Sequence, residues 1–252
     1  MIYTPELIKS IAPAIFATAP STKMTNKYEF VPTNEVMELF EREGWQLASV
    51  KQTGKGVHNV HELKYRNSQL PKVGDTVVEA VIRNSHDGTA AFSMGAGLFR
   101  LVCSNGLTVP TAVAEKFTIR HNHFSYDDVK ELADSFSKKL PKIEASVNRM
   151  MERQLTEKEK LRLVSDAVKI RWAVGSAPVS LDMSDILTPF RPEDEGSDLW
   201  TTFNVIQEKM MKGGFSYKSQ RGRTTKLRGI QSIQTSNRLN TKLWEAAELF
   251  LV

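Results

Sequence analysis

The feature that most constrains the fold is the stretch from Asp75 to Leu107, DTVVEAVIRNSHDGTAAFSMGAGLFRLVCSNGL. Two extended runs flank the dipeptide Asp87-Gly88, which favours the tight turn of a β-hairpin. In the first run, alternate residues from Val78 to Ile82 are apolar, as expected of a strand that buries at least that face. The stretch therefore predicts an antiparallel hairpin at the centre of a sheet.

Upstream of this hairpin, the sequence predicts one helix and a second hairpin. Thr33 or Asn34 can cap a helix that ends at Gly44. The alternating runs Trp45–Lys51 and His58–Arg66 are typical of two strands joined by a turn. An early helix followed by antiparallel strands is the expected order.

The second half of the chain has helical patterns instead. Thr156 and Glu159 have the spacing of a capping box, which predicts a helix from Glu157 to about Trp172. We expect its buried stripe to contain Leu161, Val164 and Val168 and to extend to Trp172. Two further helices are predicted, one capped by Ser197 and ended by Gly213-Gly214, the other over residues 239–252.

Together these patterns predict an α+β fold, with an antiparallel sheet and an early helix followed by a mostly helical C-terminal half. We divide the chain into an N-terminal arm (residues 1–27), a β-rich core (28–124) and a helical region (125–252) with a basic connection (209–242). The arm is rich in Pro and Thr and is expected to pack late or to stay mobile.

The positive charge of the chain is concentrated in the basic connection. The whole chain carries a formal net charge of +5 and has a pI near 9.2. Residues 209–242 contain no Asp or Glu and nine cations, so the rest of the chain carries −4. The nine are Lys209, Lys212, Lys218, Arg221, Arg223, Lys226, Arg228, Arg238 and Lys242.

This distribution favours a surface that binds phosphate groups, because Lys and Arg that neutralise a nucleic-acid backbone release counterions. Phe215 and Tyr217 lie in the same stretch and could stack on bases. A solvated loop is the alternative explanation of such a run. The earlier hairpin adds four candidate contacts, Lys51, Lys55, Lys64 and Arg66.

Composition excludes several other classes of protein. Cys103 is the only cysteine, so neither an internal disulfide nor a cysteine-based metal cluster can form. No window is apolar for long enough to span a membrane, and the N-terminus lacks the basic start of a signal peptide. We expect a cytoplasmic protein without a membrane partner.

Standard catalytic motifs are missing: the sequence has no Walker motif, no dinucleotide fingerprint and no nucleophile elbow. Five histidines, His58, His61, His86, His121 and His123, include an His-x-His pair, but surface or packing roles are favoured over a metal site. We therefore expect neither a metal nor a cofactor.

Arg100 and Asn105 are the unusual polar residues of the central stretch. An arginine within an apolar strand needs an anionic partner if it is buried. That partner is either a ligand, which would make Arg100 and Asn105 ligand-binding residues, or an acid of the sheet such as Glu79. The second reading is slightly favoured.

Three segments carry a resemblance to a known family: RLVCSNGL at 100–107, DLWTTFNVIQEKMMKGG at 198–214 and RLNTKLWEAAE at 238–248. They resemble the uncharacterised phage/plasmid-like protein family, a domain of unknown function. The resemblance extends from about Asn34 to the C-terminus and implies a mobile-element protein without implying an activity. More weakly, the helix and hairpin that begin at residue 34 are similar to the core of Rad-type single-strand annealing proteins.

The expected function is that of a mobile-element-encoded nucleic-acid-binding protein in a bacterial host cell. Single-stranded DNA is the favoured partner, annealing in recombination the favoured role, and a homo-oligomer one form it could take. An enzyme that uses Arg100, Asn105 and His121 is one alternative. A phage protein-interaction module, such as an antagonist of host defence, is another.

Overall fold

The structure is a computed structural model that describes residues 3–69, 72–73, 76–100, 105–108, 117–119, 127, 141–172 and 178–251. It contains two compact units, Met1–Lys142 and Ile143–Val252, which are called here the N-terminal and C-terminal units. The boundary predicted between residues 124 and 125, and Cys103, lie outside the described residues. No helix in the described part of the chain is long and apolar enough to cross a membrane.

The N-terminal unit is built on one antiparallel sheet. Its central order is β1-β2-β4-β5-β6, while β3 pairs with β4 and β7 pairs with β5. The strands are β1 (Gln46–Gln52), β2 (His61–Arg66), β3 (Lys72–Val73), β4 (Thr76–Asn84), β5 (Phe92–Arg100), β6 (Asn105–Thr108) and β7 (Phe117–Ile119). The predicted antiparallel sheet is confirmed, although β2 begins three residues later than expected.

The hairpin β4–β5 forms the middle of this sheet, as predicted, with Ile82 opposite Met94. Its loop turns at Gly88, where φ is 75°, and the Asp87 carboxylate accepts a hydrogen bond from the Thr89 N–H at 3.0 Å. The expected face of β4 is buried. Glu79 and the neighbouring Val81 on the other face are buried as well, so this strand is covered on both sides.

The arm and the early helix pack on the apolar face of the sheet. The arm forms helix α1 (Pro5–Ile11) and a 3-10 turn (Pro13–Phe16), and buries Ile15 completely. Helix α2 (Thr33–Arg42) places Phe40 with its ring centroid 5.0 Å from that of Tyr65 on β2. The arm is therefore part of the core.

Helix α2 begins differently from the prediction. Its N-cap position is Pro32, and no side chain caps it. The Thr33 hydroxyl instead lies 2.9 Å from the Nε2 atom of His61 and accepts a hydrogen bond from Asn84. The predicted cap by Thr33 or Asn34 is wrong, because the tertiary structure uses Thr33 to satisfy buried polar groups. The predicted end at Gly44 is confirmed by its φ of 80°.

The C-terminal unit is a small helical bundle with one hairpin. Its elements are α3 (described over residues 141–152, of which 143–152 lie in this unit), α4 (Glu157–Arg171), α5 (Met183–Leu187), a 3-10 turn (Pro192–Asp194), α6 (Leu199–Lys212), β8 (Ser216–Lys218), β9 (Thr224–Lys226) and α7 (Ile233–Glu248). An antiparallel sheet followed by helices confirms the α+β class.

The capping box that opens α4 is confirmed, but the predicted buried stripe is shifted. Thr156 and Glu159 exchange both hydrogen bonds of the box. Leu163, Val164 and Ala167 are buried, whereas Leu161 is 45% exposed. Leu163 lies about 200° around the helix from Leu161, since each residue turns about 100°. The helix therefore presents a different face to α6 and α7.

The last two helices overlap the two ends of the basic connection. Asp198 rather than Ser197 caps α6, accepting a hydrogen bond from the Thr201 N–H at 2.8 Å. Gly213 ends α6 as predicted, with a φ of 72°. Helix α7 begins at Ile233 after a Ser232 cap, six residues before the predicted start. Part of the basic connection is therefore helical.

Candidate nucleic-acid interface

The centre of the basic connection is a short β-hairpin with exposed cations. We call residues 216–226 the basic hairpin. Strands β8 and β9 pair with Tyr217 opposite Thr225, and the tip is closed by a hydrogen bond from the Gly222 N–H to the Ser219 carbonyl at 2.8 Å. All four cations of the hairpin are exposed: Lys218, Arg221, Arg223 and Lys226. No described ion pair engages them.

The two faces of the basic hairpin have different surroundings. Side chains alternate between faces along a strand, so Lys218 and Lys226 share one face and Tyr217 lies on the other. The Tyr217 ring packs against the Trp172 ring in a T-shaped arrangement, with 5.5 Å between ring centroids and 74° between the ring planes. The aromatic face is therefore packed, and the cationic face is free to meet an anion.

A cleft of about 350 Å³ lies where the end of α4 meets α7. We call it the cationic cleft. Arg238 and Lys242 occupy successive turns of α7, and both are exposed. The described residues that line the cleft include no Asp or Glu: they are Lys169, Ile170, Arg171, Trp172, Ile230, Thr235, Arg238, Leu239 and Lys242.

Arg171 is built into the wall of the cationic cleft. Its Nε atom donates to the Met210 carbonyl at 3.1 Å, and its Nη2 atom donates to the Arg228 carbonyl at 3.2 Å. The guanidinium carbon lies 5.8 Å from the centroid of the Trp172 ring. Desolvation by burial lowers the pKa of Arg171 from its usual value. Its main role is to hold α4 against the chain that leaves α6.

Two cations of the basic connection are engaged by their own unit. Lys209 is only 7% exposed, and its ammonium lies 3.7 Å from the centroid of the Phe190 ring. Lys212 forms an ion pair of 2.7 Å with Glu208. Phe215, one of the two aromatic residues expected to stack on bases, is 6% exposed and belongs to the core. Arg228 is exposed.

The four candidate cations of the N-terminal unit fall into two classes. Lys51 and Lys55 are exposed at the end of the β1–β2 hairpin. Arg66 and Lys64 instead lie 2.8 Å and 3.8 Å from the buried carboxylate of Glu79. Lys64 is itself only 8% exposed. On this face of the sheet, Lys64, Arg66 and Glu79 thus form an ion-pair cluster around a buried carboxylate.

Arg100 and Asn105 face each other in the pairing of β5 with β6, and only their backbone is described. The same register places Arg100 opposite Thr76 rather than Glu79. Arg66 and Lys64 hold the Glu79 carboxylate. The Arg100 side chain lies outside the described part of the chain, so the Arg100–Glu79 pair stays a prediction.

Two histidines of the N-terminal unit, His61 and His86, are part of its core. The rings of His61 and His86 are fully buried, with centroids 5.1 Å apart. Burial lowers the pKa of His61 to about 4. Among the described residues, no group of three His, Cys, Asp or Glu could hold a metal ion. His121 and His123 lie outside the described residues.

Sequence reasoning missed the contribution of α4 to the cationic cleft. Lys169, Arg171 and Trp172 lie about 60 residues before α7 in the chain, and the tertiary structure brings them beside Arg238 and Lys242. The available signal was the segment Lys169-Ile-Arg-Trp172 at the end of the predicted helix, where two cations adjoin an aromatic ring.

Comparisons with known proteins place the chain in a family. The model of a domain of unknown function, DUF932, matches residues 22–244. Two proteins of Escherichia coli (strain K12), UPF0380 protein YafZ and UPF0380 protein YfjQ, are each 31% identical over 254 residues, which covers 98% of this chain and 91% of the relative. No solved structure gives a significant match. The chain belongs to the DUF932 family.

Proposed function

We propose that this protein binds single-stranded nucleic acid, with single-stranded DNA favoured, through the basic hairpin. The observation that carries the proposal is a hairpin with four exposed cations, in a segment of 34 residues without a single acid. Cations in such a setting meet phosphates without competition from neighbouring carboxylates.

The exposed cations beyond the hairpin extend this surface within the C-terminal unit. Arg228 follows β9, and Arg238 and Lys242 lie on α7. Lys209 is buried and is expected to contribute little. In the N-terminal unit, Lys51 and Lys55 are available to phosphates, whereas Lys64 and Arg66 serve Glu79.

Annealing of complementary strands in recombination, on a phage or plasmid, is the role that we propose for this binding. The similarity of the segment from residue 34 to Rad-type annealing proteins supports the annealing step. The resemblance to the phage/plasmid-like family supports the genetic setting. Neither similarity identifies the residues involved, so the test begins with binding.

The decisive measurement is fluorescence anisotropy of a labelled oligo(dT) strand and of a duplex of equal length, over a series of salt concentrations. We expect affinity for the single strand to fall as salt rises, with a log–log slope of about −0.7 for each phosphate neutralised. Replacing Arg221, Arg223 and Arg228 together by Ala should remove measurable binding.

A matched variant controls for overall charge. Arg42, Lys142 and Lys158 are exposed cations outside the interface, and their triple replacement by Ala removes the same charge. This variant should bind nearly as well as the unmodified protein. Equal affinity of the Arg221, Arg223 and Arg228 variant and the unmodified protein would refute the proposal. Faster annealing of complementary oligonucleotides by the unmodified protein alone would support the proposed role.

A further inference from the structure

The cationic cleft has a composition that the basic hairpin lacks. The hairpin offers charge on an open surface, whereas the cleft combines charge with an aromatic ring inside a concave site of about 350 Å³. This volume lies within the usual range for small-molecule sites, about 300–1,000 Å³. The cleft is therefore large enough to enclose a group rather than only attract it.

The aromatic wall of the cleft is held in place before any ligand arrives. Trp172 is partly exposed, its ring makes a T-shaped contact with Tyr217, and the guanidinium carbon of Arg171 lies 5.8 Å from its centroid. Arg171 fixes the end of α4 through its two carbonyl acceptors, Met210 and Arg228. Binding to a ring that is already ordered costs less conformational entropy than binding to a mobile one.

The charged wall lies on α7 and at the rim. Arg238 and Lys242 are four residues apart, so their side chains emerge from the same side of the helix. Neither forms an ion pair with a described residue. Lys169 lies at the rim and forms an ion pair of 3.1 Å with Asp166. An anion in the cleft would thus meet two cations without a competing acid.

We propose that the cationic cleft binds a nucleoside phosphate, with the base against the indole of Trp172 and the phosphate between Arg238 and Lys242. Arginine and lysine recognise the phosphate, and an indole accepts the face of any base. The nucleoside phosphate is either a free nucleotide or one unit of a strand. In the second case, the inference rests on the proposed function and extends it, because the hairpin would hold the backbone of the strand and the cleft would stack on one of its bases.

Intrinsic fluorescence gives a direct measurement on the full chain. The chain has four tryptophans, of which Trp45, Trp200 and Trp244 are at most 5% exposed. Trp172 is the accessible reporter, so a base that stacks on it should quench the emission. We expect quenching by dAMP or by oligo(dA), and none by inorganic phosphate. Absence of quenching by both dAMP and oligo(dA) would overturn the proposal.

Two substitutions of Trp172 separate stacking from simple packing. Trp172→Phe keeps an aromatic face and should retain most of the affinity for the quenching ligand, measured by calorimetry. Trp172→Leu should weaken binding about 5- to 140-fold, the range for loss of one base stack. Equal affinities of the two variants would contradict a stacking role.

The charge of α7 is tested with a matched pair of variants. Arg238→Gln with Lys242→Gln should weaken binding at least about tenfold, since each contact to phosphate is charge-assisted. Lys142→Gln with Lys158→Gln removes the same charge from exposed positions elsewhere and should leave affinity nearly unchanged. An equal effect of both pairs would mean non-specific attraction only and would reject the site.

The two possible sources of the ligand give different results. If oligo(dA) binds and the cleft variants weaken it, the cleft is a subsite of the strand-binding surface. If dAMP binds in the cleft while no strand binds, the site stands and the proposed function fails. If strands bind through the basic hairpin but all cleft variants bind normally, the proposed function stands and the cleft proposal fails.

Discussion

The two units place the same residue types on β-strands with opposite consequences. On β2 in the N-terminal unit, Lys64 and Arg66 surround the carboxylate of Glu79, which is 1% exposed. On the basic hairpin in the C-terminal unit, Lys218 and Lys226 are exposed and have no acid within their segment. Cations of the first kind stabilise the fold, and those of the second kind are available to a partner. Burial and a neighbouring carboxylate make this difference.

The largest effect is expected from breaking the buried cluster. Glu79→Gln removes the negative charge that Lys64 and Arg66 share. Loss of one partner of a buried ion pair costs about 3–5 kcal/mol. Urea unfolding should show a loss of this size, followed by circular dichroism and by the fluorescence of Trp45, which lies in the same unit.

The control is an exposed pair of the same chemistry. Glu38 and Arg42 form an ion pair of 3.2 Å on α2, with side chains 56% and 74% exposed. Glu38→Gln should change the free energy of unfolding by less than about 0.5 kcal/mol. If Glu79→Gln lowered the free energy of unfolding as little as Glu38→Gln, the cluster of Glu79 with its two cations would not stabilise the N-terminal unit. The contrast between the two units would then be wrong.

The second-largest effect is a loss of stability in mild acid, which we expect from His61 in the N-terminal unit. A neutral His61 donates from Nδ1 to the Asn59 carbonyl at 2.9 Å and accepts from the Thr33 hydroxyl at Nε2. Asn84 in turn donates to that hydroxyl. A second proton on the ring would turn Nε2 into a donor, which cannot accept the hydrogen bond from the Thr33 hydroxyl. The buried ring would also carry a positive charge without a counter-ion.

The pH dependence follows from this arrangement. The pKa of His61 is about 4 in the folded protein and about 6.5 in the unfolded chain, so the unfolded state binds the proton first. Its contribution is complete above pH 6.5 and is lost as the pH falls towards 4, an amount on the order of 3 kcal/mol. Urea unfolding between pH 7 and pH 4 measures this loss of stability. In His61→Gln, the free energy of unfolding should depend less on pH over this range. If it depended on pH as in the unmodified protein, the loss would come from other groups. The C-terminal unit contains no histidine.

The smallest effect on stability is expected on the basic hairpin. Lys218→Gln with Lys226→Gln should alter the free energy of unfolding by less than about 0.5 kcal/mol per site, because both side chains are exposed. The same variant should make the salt dependence of single-strand binding shallower by about 1.4 in log–log slope. Lys209→Gln should have the opposite pair of effects, since Lys209 is buried over Phe190. It should lower the free energy of unfolding and leave the salt dependence of single-strand binding unchanged.

Much of the fold was predictable because it depends on local chemistry. The central hairpin follows from alternation and from Asp87-Gly88, and α4 follows from the Thr156 and Glu159 box. Predictions failed where a side chain had a competing tertiary use. Thr33 serves His61 instead of capping α2, and the exposed Leu161 shows that α4 turns a different face inward than its pattern indicated. Local propensity is a weak prior against such packing.

The candidate site, too, has some features that the sequence determines and others that only the tertiary structure determines. The acid-free run of cations is a property of the amino-acid sequence, so its charge and approximate limits were determined without a structure. Which cations are exposed was decided only by the tertiary structure, because Lys209 is drawn into the core while Arg221 lies at a hairpin tip. The cationic cleft is also a tertiary product. Trp172 and Lys242 are about 70 residues apart in sequence, and only the packing of α4 and α7 brings an aromatic ring and a cation to one concave surface.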